Sequence, residues 1–191
     1  MKKAIFLDRD GVINENVKDL TKLSQIKLIP NVAEAIKKIN DSGYLVIIIT
    51  NQPIIAKGFC TFEDIEKIHM KIKGMIAKIG GHIDRIYMCP HHPERGFEGE
   101  VVELKINCLC RKPKPGLFLQ AIKELNINPK TSWSIGDSLS DIAASKKAGI
   151  KSILLISGGG SGSKQEFKLR GIKADYVKAD LLEAVNFILN K

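Results

Sequence analysis

The chain has 191 residues, 44% hydrophobic and 27% charged, which are globular values and enough length for one ordinary α/β domain with a full core. Its formal net charge of +9 favours anionic partners such as phosphorylated metabolites or nucleic acid, but the basic residues are mostly lysines spread along the chain, with no dense Lys/Arg block, which weighs against nucleic acid. No stretch approaches the ~18 apolar residues of a membrane span, and the run after Met1-Lys2-Lys3 is too short for a signal peptide before it meets Asp8, so a soluble, cytoplasmic protein is expected.

In chain order, Lys3–Asp8 reads as a buried strand. A helix follows from Asn31, taken as its cap, with Val32, Ala33, Ile36 and Ile39 at helical spacing and Gly43 as the stop. Tyr44–Thr50 is a continuous β-rich run, the mark of a central strand in a parallel sheet. Thr61 and Asp64 form a variant capping box for a helix carrying Ile65, Ile68, Ile72 and Ile76. Ile83–Cys89 is the next strand, and Pro90–Pro115 is irregular. Then come a helix beginning Gly116-Leu117-Phe118, a strand Ser132–Asp137, a helix Ser140–Gly149 and a strand Lys151–Ser157. The glycine-rich loop Gly158–Glu166 precedes a last short strand and helix. This alternation predicts a Rossmann-like three-layer α/β/α fold with a mostly parallel sheet, formed by a single domain over residues 1–191.

In such sheets the site lies beyond the carboxyl ends of the strands. Asp8, Thr50, Cys89 and Asp137 all fall at predicted strand ends. Asp8 and Asp10 meeting Asp137 would put three carboxylates in one crevice. That cluster is unfavourable without a cation, and hard oxygens without His or Cys suit Mg2+.

The segments "DRDGVIN", "IIITNQ", "RKPKPG" and "IGDSLSD" resemble, in order, the four motifs of the haloacid dehalogenase superfamily of phosphatases. The resemblance covers Asp8 to Asp141. It implies Asp8 as nucleophile through an aspartyl phosphate, and Asp10 as the acid that protonates the leaving oxygen and the base that activates water. It implies Thr50 and Lys112 as ligands of the transferring phosphoryl group, and Mg2+ held by Asp8, Asp137 and the main-chain carbonyl of Asp10. Asp141 would be a supporting residue. Gly11 permits the turn after Asp10, and Arg9 is expected to point away from the site.

The four cysteines of a cytoplasmic chain argue for metal or free thiols over disulfides. Cys89-x-His91 and Cys108-x-Cys110, with 16 residues between the pairs, are a tetrahedral Zn2+ ligand set. His91 is chosen over His92 for symmetry with the second pair. The zinc would be structural, stiffening a loop of about residues 89–112 that carries Arg111 and Lys112. Cys60 is expected to be a plain thiol, and His69 and His82 to be helix-surface and loop residues.

A metal loop before "RKP" is similar to the histidinol-phosphatase and heptose-bisphosphate phosphatase subgroup, which implies no large cap domain, in keeping with the length of the chain. "HHPERGFEGE" and "TNQ" followed by "IAKG" are closer to the heptose-bisphosphate members, with a lean to the α-anomer. That resemblance implies a phosphorylated sugar as partner, no nucleic acid or membrane, and a monomer. It implies a pocket lined by Asn16, Val17, Lys18, Asp19, Asn51, Gln52, Pro53, Arg111 and Ser138. Histidinol-phosphate phosphatase and a nucleic-acid 3′-phosphatase stay open as alternatives. Pro53, Ile54 and Ser138 depart from the common pattern, the last where a lysine is frequent.

Overall fold

The computed structural model describes residues 1–156 and 171–191. Strand β1 (Ala4–Leu7) is followed by α1 (Val32–Asp41), β2 (Leu45–Asn51), α2 (Phe62–Ala77), β3 (Arg85–Cys89), α3 (Gly116–Leu125), β4 (Trp133–Gly136), α4 (Leu139–Lys147), β5 (Lys151–Leu155), β6 (Tyr176–Lys178) and α5 (Leu181–Leu189). The six strands form one sheet in the order β3-β2-β1-β4-β5-β6, and every pairing is parallel.

The strand sequences are apolar on both faces because both faces are covered. Ile5, Leu7, Val46, Ile48 and Ile135 face one core with residues of α1, α2 and α5. Their alternates Ala4, Phe6, Ile47 and Ile49 face the other, with residues of α3 and α4. Phe6 meets Phe118 of α3 with ring centroids 5.3 Å apart. Helix packing follows the 3.6-residue period: Ile65, Ile68, Ile72 and Ile76 of α2 are all buried. The α/β/α layering is as expected from the sequence.

Local details differ. Asn31 sits at the N-cap of α1 with φ +64° and no side-chain capping bond, so it starts the helix by its backbone turn and not by its amide. β3 begins two residues later than expected, at Arg85. The Thr61–Asp64 capping box forms in full. Ser157 and the Gly158–Glu166 loop lie outside the described residues.

The chain leaves β1 toward β2 and β3 on one side and returns to β4 on the other. The sheet's switch point therefore falls between β1 and β4, where a crevice opens beyond the strand ends. Asp8 and Asp137 are the residues that follow these two strands.

Candidate active site

Asp8 follows β1, with its amide bonded to the Ile135 carbonyl at 3.1 Å. The chain then folds back on itself. Gly11 takes φ +80°, and Ile13 and Asn14 donate their amides to the Arg9 carbonyl at 2.9 and 3.1 Å. An L side chain at residue 11 would strain this turn.

One Asp8 oxygen, Oδ1, accepts from the Arg9 amide at 2.7 Å and from Lys112 Nζ at 2.9 Å. Lys112 is almost fully buried, and its ammonium meets three oxygens. Besides Asp8 it meets Asp141 Oδ1 at 2.5 Å and donates to the Ile49 carbonyl at 2.8 Å. Its backbone is held by Asn51, whose side chain accepts from the Lys112 amide at 3.1 Å and donates to the Lys112 carbonyl at 3.2 Å. An amide side chain thus pairs with the loop as a neighbouring strand would.

Asp141 is carried to Lys112 by the first turn of α4. Ser138 caps that helix: its amide and hydroxyl donate to Asp141 Oδ2 at 3.0 and 2.6 Å. Gly136 makes room for the same carboxylate. A Cβ built there would stand 2.3 Å from Asp141 Cβ.

Asp8, Asp137 and Asp141 each bring a carboxylate oxygen within 4.8 Å of the others. Set against one ammonium, they leave two negative charges uncompensated. Burial, then the Asp141 charge, pushes the Asp8 carboxyl up to about 7 against the pull of Lys112. Burial, then the charges of Asp8 and Asp141, pushes Asp137 up to about 8. For Lys112, burial works against the charged form, but Asp141 and Asp8 outweigh it and raise its pKa. The partners of the Asp8–Lys112 pair thus both shift upward. One ammonium shared among three carboxylates stays charged, while the carboxylates together hold more charge than it can balance. Asp137 Oδ2 is buried with no hydrogen-bond partner. A hard divalent cation fits this donor set: all oxygen, short of positive charge, with one buried oxygen unsatisfied.

Asp10 is balanced separately. Its Oδ1 accepts from Arg9 Nε and Nη2 at 3.1 and 3.0 Å and from Asn14 Nδ2 at 2.8 Å. Its Oδ2 accepts from Arg9 Nη2 at 2.8 Å and Gln52 Nε2 at 2.9 Å. Burial opposes ionisation, but the Arg9 charge and these bonds hold the carboxyl below its ordinary range. The sequence expectation for Arg9 is corrected here. β1 ends at Leu7, so strand alternation does not carry to residue 9, and the tight turn aims a fully buried guanidinium at Asp10. His69 is corrected likewise. It is 5% exposed, within α2, with Nε2 at 3.4 Å from Arg9 Nη1.

A cavity of about 170 Å3 brings together Asp8, Asp10, Thr50, Lys112 and Asp137, with Asn16, Asn51, Ser138 and Ser140 on its walls. The other expected pocket residues lie off it. Gln52 is buried beneath, donating to Asp10 and to Thr50 Oγ1 at 2.9 Å. Val17 packs against the core. Lys18, Asp19 and Pro53 do not line the cavity. Arg111 donates to the His91 carbonyl at 3.3 Å. A larger cleft of about 570 Å3 lies between α2 and β3, where Glu63, Glu66, His69, Lys73, Asp84 and Arg85 are among the lining residues.

Cys89, His91, Cys108 and Cys110 converge beside it. Their Sγ atoms are 3.2 to 3.5 Å apart, and His91 Nδ1 is 3.2 and 3.6 Å from Cys110 and Cys89. A tetrahedral site with ~2.3 Å zinc–sulfur bonds needs edges of roughly 3.7 Å, so small outward shifts would seat the ion. His92 is turned away, with Nε2 toward Glu94 at 3.9 Å. The loop's tip is stapled to the turn after β2: Val101 donates to the Ala56 carbonyl at 3.0 Å. Cys60 is a free, half-buried thiol, pushed up to about 11 chiefly by burial.

A family model described as HAD-hydrolase-like matches residues 109–184. The chain is 42% identical over 159 residues to a D-glycero-beta-D-manno-heptose-1,7-bisphosphate 7-phosphatase of Pasteurella multocida, covering 83% of this chain and 84% of that one. This chain belongs to the haloacid dehalogenase-like phosphatases, in the heptose-bisphosphate phosphatase branch. It is therefore a phosphoric monoester hydrolase. A Photorhabdus laumondii phosphatase named for the alpha anomer is 40% identical, over 82% of this chain and 84% of that one. Among solved structures, a D,D-heptose 1,7-bisphosphate phosphatase from B. bronchiseptica, complexed with magnesium and phosphate, superposes with a TM-score of 0.84. It is 29% identical, over 98% of both chains. No helix among the described residues of this phosphatase is long and apolar enough to cross a membrane.

Arg9, His69, Asn14 and Gly136 join the motif residues in the site. For His69 a signal was present: it stands four residues after Ile65 and three before Ile72, on the buried stripe of α2.

Proposed function

We propose that this phosphatase removes the 7-phosphate of D-glycero-D-manno-heptose 1,7-bisphosphate, with Mg2+ as catalytic metal and Zn2+ as a structural one. The observation that carries the chemistry is the division of charge at the switch point. Asp8, Asp137 and Asp141 cluster around a single ammonium that pairs with two of them, while Asp10 has a cation of its own in Arg9. The substrate rests on the relatives' names. Those names include both anomers, so the lean to the α-anomer is a matter for assay.

In this reading Asp8 attacks phosphorus. Its Oδ1 is fixed by Arg9 N–H and Lys112, which leaves Oδ2 to form the new bond. The phosphorus–oxygen bond to the sugar breaks as Asp10, ionised by its Arg9 pair in the free site and protonated from solvent as substrate enters, delivers that proton to the oxygen, giving an aspartyl phosphate and the free alcohol. Asp10, now a carboxylate, takes a proton from water, the water oxygen attacks phosphorus, and the acyl phosphate bond opens to release phosphate and restore Asp8. Thr50 lines the cavity at the end of β2 and binds phosphoryl oxygens. Lys112 stabilises charge on the phosphoryl group as it transfers. Asp8, Asp137 and the Asp10 carbonyl would hold Mg2+, with Asp141 supporting, and the ion would supply charge compensation for the phosphoryl oxygens.

Residues 1–191 form one domain in this proposal, with the 89–112 loop as an insertion. Zinc on Cys89, His91, Cys108 and Cys110 would brace that loop, and Arg111 would meet the distal phosphate after leaving His91. The protein would act as a cytoplasmic monomer. The test is phosphate release from both heptose 1,7-bisphosphate anomers, histidinol phosphate and a 3′-phosphorylated oligonucleotide. A heptose bisphosphate should lead in kcat/KM, and Asp8→Asn should abolish turnover. A lead by histidinol phosphate or the oligonucleotide would overturn the substrate, and an active Asp8→Asn variant the mechanism.

A further inference from the structure

The buried polar group behind Asp10 includes one side chain with no part in the chemistry above. Arg9 is fully buried, and a buried guanidinium is held in place by the acceptors its nitrogens find. Asp10 takes Nε and Nη2, and Gln52 Oε1 takes a further Nη2 bond at 2.9 Å. On the Nη1 side the contact is His69 Nε2, at 3.4 Å. Arginine has no acceptor, so His69 must accept at Nε2 and carry its proton on Nδ1. Around His69 stand Arg9 and Asp10 from the end of β1 and Lys73 one turn on along α2. Burial, then the Arg9 charge, lowers His69 to about 4, which keeps it in the neutral form that can accept.

We propose that His69 is a positioning residue for proton transfer, holding the Arg9 guanidinium in the plane that presents Asp10 to the leaving oxygen. The inference rests on the role given to Asp10 above. The chain of contacts is short: His69 to Arg9, Arg9 to both Asp10 oxygens, and Gln52 bridging Asp10 to Thr50. Without the His69 acceptor, Nη1 is left unsatisfied. The guanidinium then turns to seek a partner and takes the carboxylate with it. General acid catalysis is worth ~10²–10⁴-fold and is lost with small displacements.

Leaving-group dependence separates this role from general support of the fold. A sugar alkoxide must be protonated as it departs, whereas 4-nitrophenolate leaves without a proton. The ratio kcat/KM reports only steps through leaving-group release, so later water attack does not enter. His69→Leu should lower kcat/KM for heptose 1,7-bisphosphate about tenfold or more, with a change of less than about threefold for 4-nitrophenyl phosphate. His69→Gln, a neutral acceptor of similar reach, should recover most of the loss. Asp10→Asn, assayed alongside, should show the same selectivity more strongly. If His69→Leu folds poorly by circular dichroism, His69→Asn, polar but too short to reach Arg9, carries the same expectation. Equal losses on both substrates, or no recovery with His69→Gln, would overturn the role of His69 while leaving that of Asp10 intact. An Asp10→Asn variant without leaving-group selectivity would overturn the reading of Asp10 itself.

Discussion

Gly136→Ala is a sharp test of how the site is built. The added methyl would stand 2.3 Å from Cβ, 2.6 Å from Cγ and 2.7 Å from Oδ2 of Asp141. An ordinary carbon contact is ~3.5–4 Å, so Asp141 must retreat by more than 1 Å. That side chain is held by Ser138 on one side and Lys112 on the other, so the retreat breaks the buried ion pair. Overpacking costs ~1–3 kcal/mol and breaking a buried pair ~3–5 kcal/mol. Some relaxation will be shared between them, so we expect a loss of about 3 kcal/mol. At ~2–4 °C per kcal/mol for a chain of this size, the melting temperature should fall by roughly 6–12 °C. Displacing Lys112 from Asp8 should also lower kcat about 10²-fold. Gly74→Ala is the control: it lies in α2 with nothing within 4 Å of the new methyl, and should stabilise by ~0.5–1 kcal/mol. Thermal melts and steady-state kinetics on the two variants decide the matter. A Gly136→Ala protein that melts and turns over like the parent would refute the reasoning.

Lys112→Met should lower kcat ~10²–10³-fold with little change in KM, since its charge counts most in the transition state; a loss confined to KM would contradict that role. In the metal-free protein the Asp8 and Asp137 carboxyls are raised from 3.8 to about 7 and about 8. Folding then resists their ionisation, so this part of the stability is present at low pH and is lost as pH rises from about 4 to about 8. Added Mg2+ should reverse the loss, so its thermal shift should be larger at pH 8 than at pH 5.5, measured by calorimetry; a pH-independent shift would argue against the acidic cluster as its site. EDTA should abolish turnover and excess Mg2+ restore it. Cys108→Ser should reduce bound zinc and the melting temperature before it affects kcat, as read by elemental analysis and thermal melts; retention of one zinc per chain would contradict the ligand set.

The sequence alone made much of this site legible because parallel sheets gather strand ends. Asp8, Thr50 and Asp137 are far apart in the chain, yet each follows a continuous apolar run, and strand–helix alternation sends all three ends to one edge. The Cys/His quartet was legible from spacing and chemistry. Less legible were residues whose role depends on backbone direction after a strand stops. Strand alternation extended past Leu7 sends Arg9 away from the site, but the chain turns at Gly11 with φ +80°, and the turn decides where the guanidinium goes. Gly136 reads as a small residue in a strand until the Asp141 side chain that needs its space is in view. Ser138 and Gln52 read as substrate contacts because they neighbour motif residues. In space one caps α4 at the cavity wall, and the other is buried under Asp10.

The Cys/His quartet bears on the local concentration of a charge. Stripped of the Val101–Ala56 and Asn51–Lys112 bonds, the span from Cys89, where β3 ends, to Lys112 would be a flexible loop of about 23 residues with ends typically ~25 Å apart. A metal on the four ligands would leave only the two residues from Cys110 to Lys112 as tether, a reach of ~7 Å. The ammonium would then search a volume tens of times smaller before it meets Asp8 and Asp141, and its effective molarity in the crevice would rise accordingly. On this view a structural metal contributes to phosphoryl transfer without touching phosphate, by shortening the leash on the lysine.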